Sequence, residues 1–384
     1  MCGVYMSAKS NYNIDSLCQA LEEAKNSKKN KQKYSKKTRP EMYFSLEEPI
    51  ASAKLFNFDV AERYYADPQF FVETTLRQKL WRHENFNDDM PISLDFHASL
   101  GYYVEYTYLG MSMYFDSAGV PIIQEDHPIS KSKDLSLLKP VDFKNSGWMP
   151  RLMKWHDDIS SIANGRMNIF FPTWWRGPLD LAVQLRGYEN LVMDSIEDPE
   201  FVHDLLKFIT QERIRWYQAY TEYFDVPMPT GGIGDDWINI PFITPEFFEE
   251  FLTERYMEIA ESQGGVDSVH SCGNQTPIQK QLLKIKNLKF MEISPWTDLE
   301  CAVKENVPKD MSFLVNAHPN DVLFADDDEM RKKFRFIKDL CKNRNYFLNT
   351  SGLTPISPVD NEKDFIQKIN RWIDIGKEVY AEPY

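Results

Sequence analysis

Short apolar runs alternate with longer segments of helical periodicity through the second half of the 384-residue chain. The runs with extended character are 168–171, 266–269, 288–293, 312–315 and 346–348. Between them, apolar side chains recur every three or four residues, which is the spacing of one face of an α-helix. Strand and helix alternating in this way predict a parallel sheet covered by helices.

Some of the helical segments have a recognisable start. Asp198-Pro199-Glu200 predicts one, because Asp198 can cap a helix and Pro199 fits the first turn. Thr244-Pro245-Glu246 predicts a second start, and a last helix is expected after Asp360-Asn361. These starts support the alternation of helices and strands.

Doubly wound sheets and eight-stranded barrels both satisfy this alternation. No G-x-G-x-x-G sequence follows a predicted strand and no Walker phosphate loop is present, so a dinucleotide-binding fold gets no support. The chain length suits a (β/α)8 TIM barrel with an N-terminal extension. We therefore predict an α/β protein with an extension over 1–45, containing a short helix over 15–24 and a basic linker, and a barrel over 46–384. The aromatic stretch 101–123 predicts a hairpin set into an early barrel loop.

The charge distribution argues against nucleic acid as a partner. The formal net charge is −14, although residues 25–39 carry eight basic side chains and no acidic one. Without these eight charges the rest of the chain has a net charge of −22, which repels phosphate backbones. We interpret the basic segment as a solvated linker, and a docking arm for an acidic partner is the alternative.

We expect a soluble, cytoplasmic protein that is not held in a membrane. The chain is 42% hydrophobic, which suffices for a core, and it contains no run of about 18 uncharged apolar residues. Residues 1–9 lack the apolar region of a signal peptide. The five cysteines are odd in number and scattered, which argues against a disulfide framework and for a reducing compartment.

In barrels of the predicted type, chemistry gathers where strands end and lead into helices. His270 and Cys272 follow one predicted strand, and positions i and i+2 of an extended segment point the same way. Zinc prefers such a mixture of imidazole and thiolate. Glu292, at the next strand end, is a candidate third ligand. The alternative is a buried, hydrogen-bonded histidine beside an inert cysteine, with Glu292 in a salt bridge or a cap.

Carboxylates and tryptophans occupy other predicted strand ends. Asp235 and Asp236 are adjacent, so one can raise the pKa of the other and act as general acid or base, with helix capping as the alternative. An aromatic mouth suits a flat aromatic substrate or a methylated ammonium, and helix-to-sheet packing is the alternative. The candidate substrate-binding residues are Trp174, Trp175, Arg176, Trp237, Trp296, Asn316 and Ser351.

Several segments, in this order and spacing, resemble the uroporphyrinogen decarboxylase-like superfamily of barrels, which includes zinc-dependent methyltransferases acting with corrinoids and thiols. The segments are 176–182, 187–189, 198–200, 234–236, 244–247, 270–273, Asn316 and 351–358. In the methyltransferase branch, the resemblance implies one zinc ion whose ligands are His270, Cys272, Glu292 and a cysteine near the last strand. Ser351 stands at that last position and is a poorer ligand than a thiolate. Either three ligands and an open position remain, or the metal is weak or absent.

The leading hypothesis is a methyltransferase component that moves a methyl group between a small methylated substrate or thiol and a corrinoid carried by a partner protein. The resemblance also implies a possible homodimer. A second hypothesis is a metal-free carboxy-lyase of tetrapyrrole metabolism, with Arg176 recognising carboxylates, although the family's Arg-x-x-Gly-Arg stretch is missing. A third is a small-molecule-binding barrel without catalysis, which Ser351 favours.

Overall fold

The computed structural model describes residues 13–27, 39–46, 51, 53–54, 63–115, 121–124, 128–353 and 362–383. Several features predicted from the sequence lie outside the described residues: most of the basic linker, the middle of the hairpin, the end of the last resemblance segment and Asp360-Asn361.

The helices vary in length from single turns to seven turns. They are α1 (Ile14–Asn26), α2 (Pro68–Asn85), α3 (Val104–Tyr108), α4 (Met149–Ala163), α5 (Pro178–Arg186), α6 (Tyr188–Glu197), α7 (Pro199–Phe224), α8 (Pro245–Phe247), α9 (Thr253–Gln263), α10 (Gln279–Leu282), α11 (Leu299–Cys301), α12 (Pro319–Leu323), α13 (Asp327–Leu340) and α14 (Glu362–Ala381). Two π-helical turns, Phe248–Leu252 and Ala302–Asn306, and two 3-10 turns, Leu135–Leu137 and Thr276–Ile278, lie between these helices.

The strands are short and mostly parallel. They are β1 (Asp95–His97), β2 (Met113–Phe115), β3 (Pro121–Ile123), β4 (Asn168–Phe170), β5 (Gly231–Gly234), β6 (Val266–His270), β7 (Phe290–Ile293), β8 (Ser312–Ala317) and β9 (Tyr346–Thr350).

The local patterns predicted several of these elements. Strands β4, β6, β7, β8 and β9 overlap the five predicted runs, which confirms them. Both predicted helix starts are also confirmed: the Asp198 side chain accepts a hydrogen bond from the Phe201 N–H, and the Thr244 side chain accepts one from the Phe247 N–H. Each of these caps involves groups only three residues apart, so neighbouring sequence suffices to specify it.

The predicted hairpin is confirmed only in its second half. Strands β2 and β3 pair in antiparallel register, with Met113 opposite Ile123. The first half instead contains the single helical segment α3, in which all five side chains are buried. Aromatic content alone therefore did not distinguish a buried helix from a strand.

The sheet pairings place the strand ends that carry polar residues side by side. Strands β7, β8 and β9 form one parallel sheet, and β5–β6 and β1–β4 form two parallel pairs. The N–H of Lys289 donates to the Asp267 carbonyl between β6 and β7, and a parallel bridge joins Arg176 to Gly234 on β5. The protein is thus a mixed α/β fold, and the closed eight-stranded barrel stays a prediction.

The described part of the predicted extension packs into the fold. Helix α1 covers the predicted 15–24 segment and buries one face against α2, through Ile14, Leu17, Cys18 and Leu21. Further along, Met42 and Phe44 are fully buried. The Tyr43 N–H donates to the Leu348 carbonyl on β9, so residues 41–46 run beside the last strand. Residues on both sides of the predicted boundary at residue 45 thus lie along β9, and the division into an extension and a barrel stays a prediction.

Candidate metal centre

Two paired strands bring an imidazole, a thiol and a carboxylate to one edge of the sheet. Strand β6 ends at His270, which lies opposite Gly234 at the end of β5. The Asp235 N–H donates to the His270 carbonyl at 2.9 Å, which extends this pairing past the strand end. As a result Asp236, the next residue, lies beside the His270 ring. Cys272 returns to the same place from the turn after β6.

The three polar atoms lie close to the separations that a tetrahedral zinc ion sets, and the sulfur-to-oxygen distance is somewhat shorter. The Cys272 Sγ atom is 3.5 Å from His270 Nε2 and 3.2 Å from Asp236 Oδ1, and Nε2 is 3.6 Å from Oδ1. Zinc bonds of about 2.0–2.3 Å in tetrahedral geometry separate ligand atoms by about 3.4–3.6 Å. All three side chains are at least partly exposed, so an ion can reach them. The donor set of thiol, imidazole and carboxylate therefore fits zinc.

Glu292 contacts the opposite nitrogen of the same imidazole. Its carboxylate oxygens are 2.8 and 3.0 Å from His270 Nδ1, and its Oε1 also accepts a hydrogen bond from Asn316 Nδ2 at 2.8 Å. A carboxylate in this position fixes the orientation and tautomer of a metal-binding histidine. In this arrangement Glu292 and Asn316 support the imidazole, and Asp236 is the carboxylate on the ligand side.

Cys272 and Glu292 together favour the protonated form of the imidazole. Burial opposes a positive charge on His270, but hydrogen bonds with Cys272 and Glu292 and the charge of Glu292 outweigh it and raise the pKa of His270 to about 11. The metal-free imidazole is therefore protonated at neutral pH, and a cation binding at Nε2 must displace a proton.

Asp235 and Asp236 have different environments although they are adjacent. Asp235 is fully buried, and its Oδ2 accepts hydrogen bonds from the Leu179 N–H and the Tyr256 hydroxyl. Burial, together with the nearby Asp180, raises the pKa of Asp235 well above its usual range. This position does not favour direct contact of Asp235 with a substrate. Asp236 is the member of the pair that lies beside His270 and Cys272, and these three residues form the cluster.

Arg176 lies behind Asp236 and is buried. Its Nη1 atom is 2.8 Å from Asp236 Oδ2 and 2.7 Å from Asp180 Oδ2. Burial raises the pKa of Asp236, but the Arg176 charge and the thiol hydrogen bond outweigh this effect and hold that pKa below its usual value. Burial also raises the pKa of Asp180, to about 6, against the influence of Arg176.

The four candidate tryptophans occupy different environments. Trp174 is fully buried and donates to the Arg176 carbonyl, so it belongs to the core. Trp237 stacks on Tyr188 with ring centroids 4.9 Å apart. Trp296 is 54% exposed beside His318. Of these four, Trp175 lies beside the cluster: its ring centroid is 6.4 Å from that of His270.

Trp175 lies across Gly232 and Gly234 of β5. A Cβ atom on Gly232 or on Gly234 would come within 3.0 Å of the indole, so both positions must lack a side chain. Trp175 remains 38% exposed. Its backbone N–H donates a hydrogen bond to the buried Glu105 carboxylate. Alternating glycines within a strand commonly mark a close approach of another group, and that signal was available in the sequence.

Ser351 and Asn316 lie on neighbouring strand ends. Asn316 is on β8, and the N–H of Ser351, just after β9, donates to the Ala317 carbonyl at 3.0 Å. The structure thus places both residues at the sheet edge where the cluster lies, and their predicted contact with a substrate stays a prediction.

The fold and the cluster define an α/β protein with a candidate metal centre at the carboxyl ends of parallel strands. The model of the family described as uroporphyrinogen decarboxylase (URO-D) matches residues 95–372. The chain therefore belongs to the uroporphyrinogen decarboxylase family, which confirms the resemblance at the level of the superfamily and places the protein among enzymes.

A solved structure supports the same fold. A methyltransferase from Methanosarcina mazei superimposes with a TM-score of 0.64 at 15% identity, covering 95% of this chain and 99% of the other. A D-psicose 3-epimerase from Clostridium cellulolyticum H10, solved with D-tagatose, has a TM-score of 0.30 at 16% identity over 59% and 84% of the two chains, which is too low to carry an argument. A search of curated proteins finds no significant match. Within the described residues, no helix is both long and apolar enough to cross a membrane.

Proposed function

We propose that this protein is a zinc-dependent methyltransferase component that moves a methyl group between a small methylated substrate or thiol and a corrinoid held by a partner protein. The observation that carries the proposal is the convergence of His270, Cys272 and Asp236 at zinc-ligand separations. In this proposal the strands close into a (β/α)8 TIM barrel, with the cluster at its mouth.

His270 and Cys272 would hold the zinc ion, with Asp236 as the third ligand. Zinc supplies Lewis acidity, which polarises a bound heteroatom or keeps a thiol in its thiolate form. Glu292 and Asn316 orient the imidazole through Nδ1. Because Ser351 is neutral, a three-ligand site with an open position for a substrate is the arrangement that this sequence favours.

Trp175 is the best candidate for a wall of the substrate site. Its indole is clamped on β5, remains partly exposed and lies beside the His270 ring. A rigid, exposed aromatic surface next to a metal centre suits a flat aromatic methyl ether or a methylated amine. Trp296, which is exposed beside the next strand end, is a candidate for the rim of the same site.

The first test is the zinc content of protein purified without chelator, followed by methyl transfer from methylated aromatics to a free corrinoid. One zinc ion per chain and measurable transfer are expected, and both should be lost in Cys272→Ser. Cys301→Ser is the matched control, since Cys301 is a half-buried cysteine outside the cluster. A Cys272→Ser protein that keeps its zinc and its activity contradicts the site.

A second comparison decides which carboxylate is the ligand. Asp236→Asn replaces the anionic carboxylate on the Nε2 side with a neutral amide and should weaken zinc binding more than Glu292→Gln, which keeps a hydrogen-bond acceptor for Nδ1. Loss of an outer-shell partner typically weakens metal binding about 10–100-fold. If Glu292→Gln has the larger effect in a chelator competition, Glu292 is the ligand that the resemblance implies.

Decarboxylation is the second candidate function, because the matching family model is that of uroporphyrinogen decarboxylase. Arg176 was its best candidate for binding a substrate carboxylate, but the guanidinium already contacts Asp180 and Asp236. Turnover of a porphyrinogen by zinc-free protein would favour this function over methyl transfer. A protein that binds neither zinc nor a porphyrinogen would favour the non-catalytic binding protein.

A further inference from the structure

The Arg176 guanidinium connects the candidate metal centre to the buried interior. Its Nη1 atom lies between Asp180 Oδ2 at 2.7 Å and Asp236 Oδ2 at 2.8 Å. Asp180 is 2% exposed and Arg176 is 7% exposed, so water screens this arrangement poorly. We propose that Arg176 is a positioning residue that presents Asp236 to the metal as a ligand through one oxygen, an inference that rests on the proposed function.

Arg176 is itself held in place by its surroundings. Its Nε–H donates to the Tyr102 carbonyl at 3.1 Å, and the guanidinium lies 5.4 Å from the ring centres of both Tyr103 and Tyr106. The Arg176 carbonyl accepts hydrogen bonds from Arg213 Nη1 and from Trp174 Nε1, each at 3.1 Å. Both ends of the residue are therefore anchored, and Arg176 cannot follow a moving carboxylate.

This anchoring divides the two oxygens of Asp236 between two tasks. Oδ2 is taken by Arg176, whereas Oδ1 points to the cluster, 3.2 Å from Cys272 Sγ and 3.6 Å from His270 Nε2. With Oδ2 occupied, the carboxylate cannot rotate freely, and only one oxygen is offered to a cation. The Arg176 charge also offsets part of the negative charge that Asp236 and Glu292 bring to one place.

The contacts of Arg176 argue against a role in binding a substrate carboxylate. A guanidinium that grips a substrate carboxylate has to leave its protein partners or offer free donors toward the solvent. Here the group is buried, and two protein carboxylates share its Nη1. Nη1 and Nε are thus both taken by protein oxygens, and the contact with Asp236 is the one that links Arg176 to the cluster.

A double-mutant cycle tests this route. Zinc affinity is measured by competition with a chromophoric chelator for the full-length wild type, Arg176→Met, Asp236→Asn and the double variant. Arg176→Met is expected to weaken zinc binding about 10–100-fold, as other losses of outer-shell partners do. In the Asp236→Asn background, the same change should alter the affinity less than about twofold, because the residue through which Arg176 acts is already disabled.

Arg186→Met is the matched control. Arg186 is also a buried arginine whose Nε contacts a buried carboxylate, that of Asp194, at 2.6 Å. Removing it breaks a comparable ion pair outside the cluster, so stability should fall while zinc affinity stays at the wild-type value. If Arg176→Met does not fold, Arg176→Lys replaces it in the cycle, because lysine keeps the charge but not the planar fork.

Cobalt substitution provides a readout that a merely structural role would not move. In the Co²⁺ protein, Arg176→Met should keep the thiolate-to-metal absorption band of Cys272 but change the visible ligand-field bands toward those of Asp236→Asn. A wild type that binds zinc while Arg176→Met binds it equally well overturns the inference alone. The inference also fails if Arg176→Met lowers zinc affinity as much in the Asp236→Asn background as in the wild type. A wild type that binds no zinc overturns the proposed function and the inference together.

Discussion

The fit of Trp175 against β5 makes a stability prediction whose size follows from the structure. A methyl group on Gly234 would lie no more than 2.7 Å from three atoms of the indole, against ordinary contact distances of 3.4–4 Å. The indole must therefore move by roughly 1 Å or more, and overpacking of this kind costs about 1–3 kcal/mol. Gly234→Ala is expected to lower the free energy of unfolding by that amount.

Gly231 provides the control in the same strand. A Cβ atom there would meet only the Tyr217 hydroxyl, at 3.9 Å, and neither glycine has a positive φ that alanine would strain. Gly231→Ala should thus change the free energy of unfolding by less than about 0.5 kcal/mol. Both variants are compared by urea unfolding followed by circular dichroism.

A double variant shows whether the cost arises from the indole. Once Trp175 is replaced by alanine, the added methyl group has room, so Gly234→Ala should cost little in the Trp175→Ala background. Equal stabilities of Gly234→Ala and Gly231→Ala in the wild-type background would refute the packing of Trp175 on β5. An undiminished cost in the Trp175→Ala background would assign the effect to the strand instead.

Two further predictions concern proton competition and the amino-terminal helix. Because the pKa of His270 is raised from 6.5 to about 11, its protonation stabilises the metal-free fold fully below about pH 6.5, and this contribution is lost as the pH rises toward 11. Zinc must displace that proton, so its affinity should rise with pH, by up to about tenfold per unit for each proton displaced; an affinity independent of pH between about 6 and 9 in chelator competition contradicts this. Leu21 on α1 is 1% exposed, so Leu21→Ala should cost about 2–5 kcal/mol in urea unfolding, whereas Glu22→Ala, on the exposed face, should cost almost nothing; equal effects would mean that α1 does not contribute to the core.

The spacing of residues along the chain predicted some features of the site better than others. The spacing of His270 and Cys272 predicted two side chains on one side of a strand end, and the structure brings them within 3.5 Å. The roles of the carboxylates were harder to predict. Asp235 and Asp236 are neighbours in sequence. However, Asp235 is buried and accepts a hydrogen bond from the first turn of α5, whereas Asp236 contacts the Cys272 thiol. Glu292 approaches the imidazole from the Nδ1 side, which no pattern in the sequence specifies.

The sequence by itself determined the α/β alternation, the helix caps at Asp198 and Thr244, and the membership of one family, because these depend on groups a few residues apart or on motifs read in order. Only the tertiary structure decided that α1 docks on α2 and that Trp175 rests on two glycines. It also decided which carboxylate shares the ligand side of His270. That choice depends on the register of β5 against β6 and on the buried Arg176, and both are contacts between residues far apart in the chain. A shift of one residue in that register would turn the same side chains to the opposite face of the sheet.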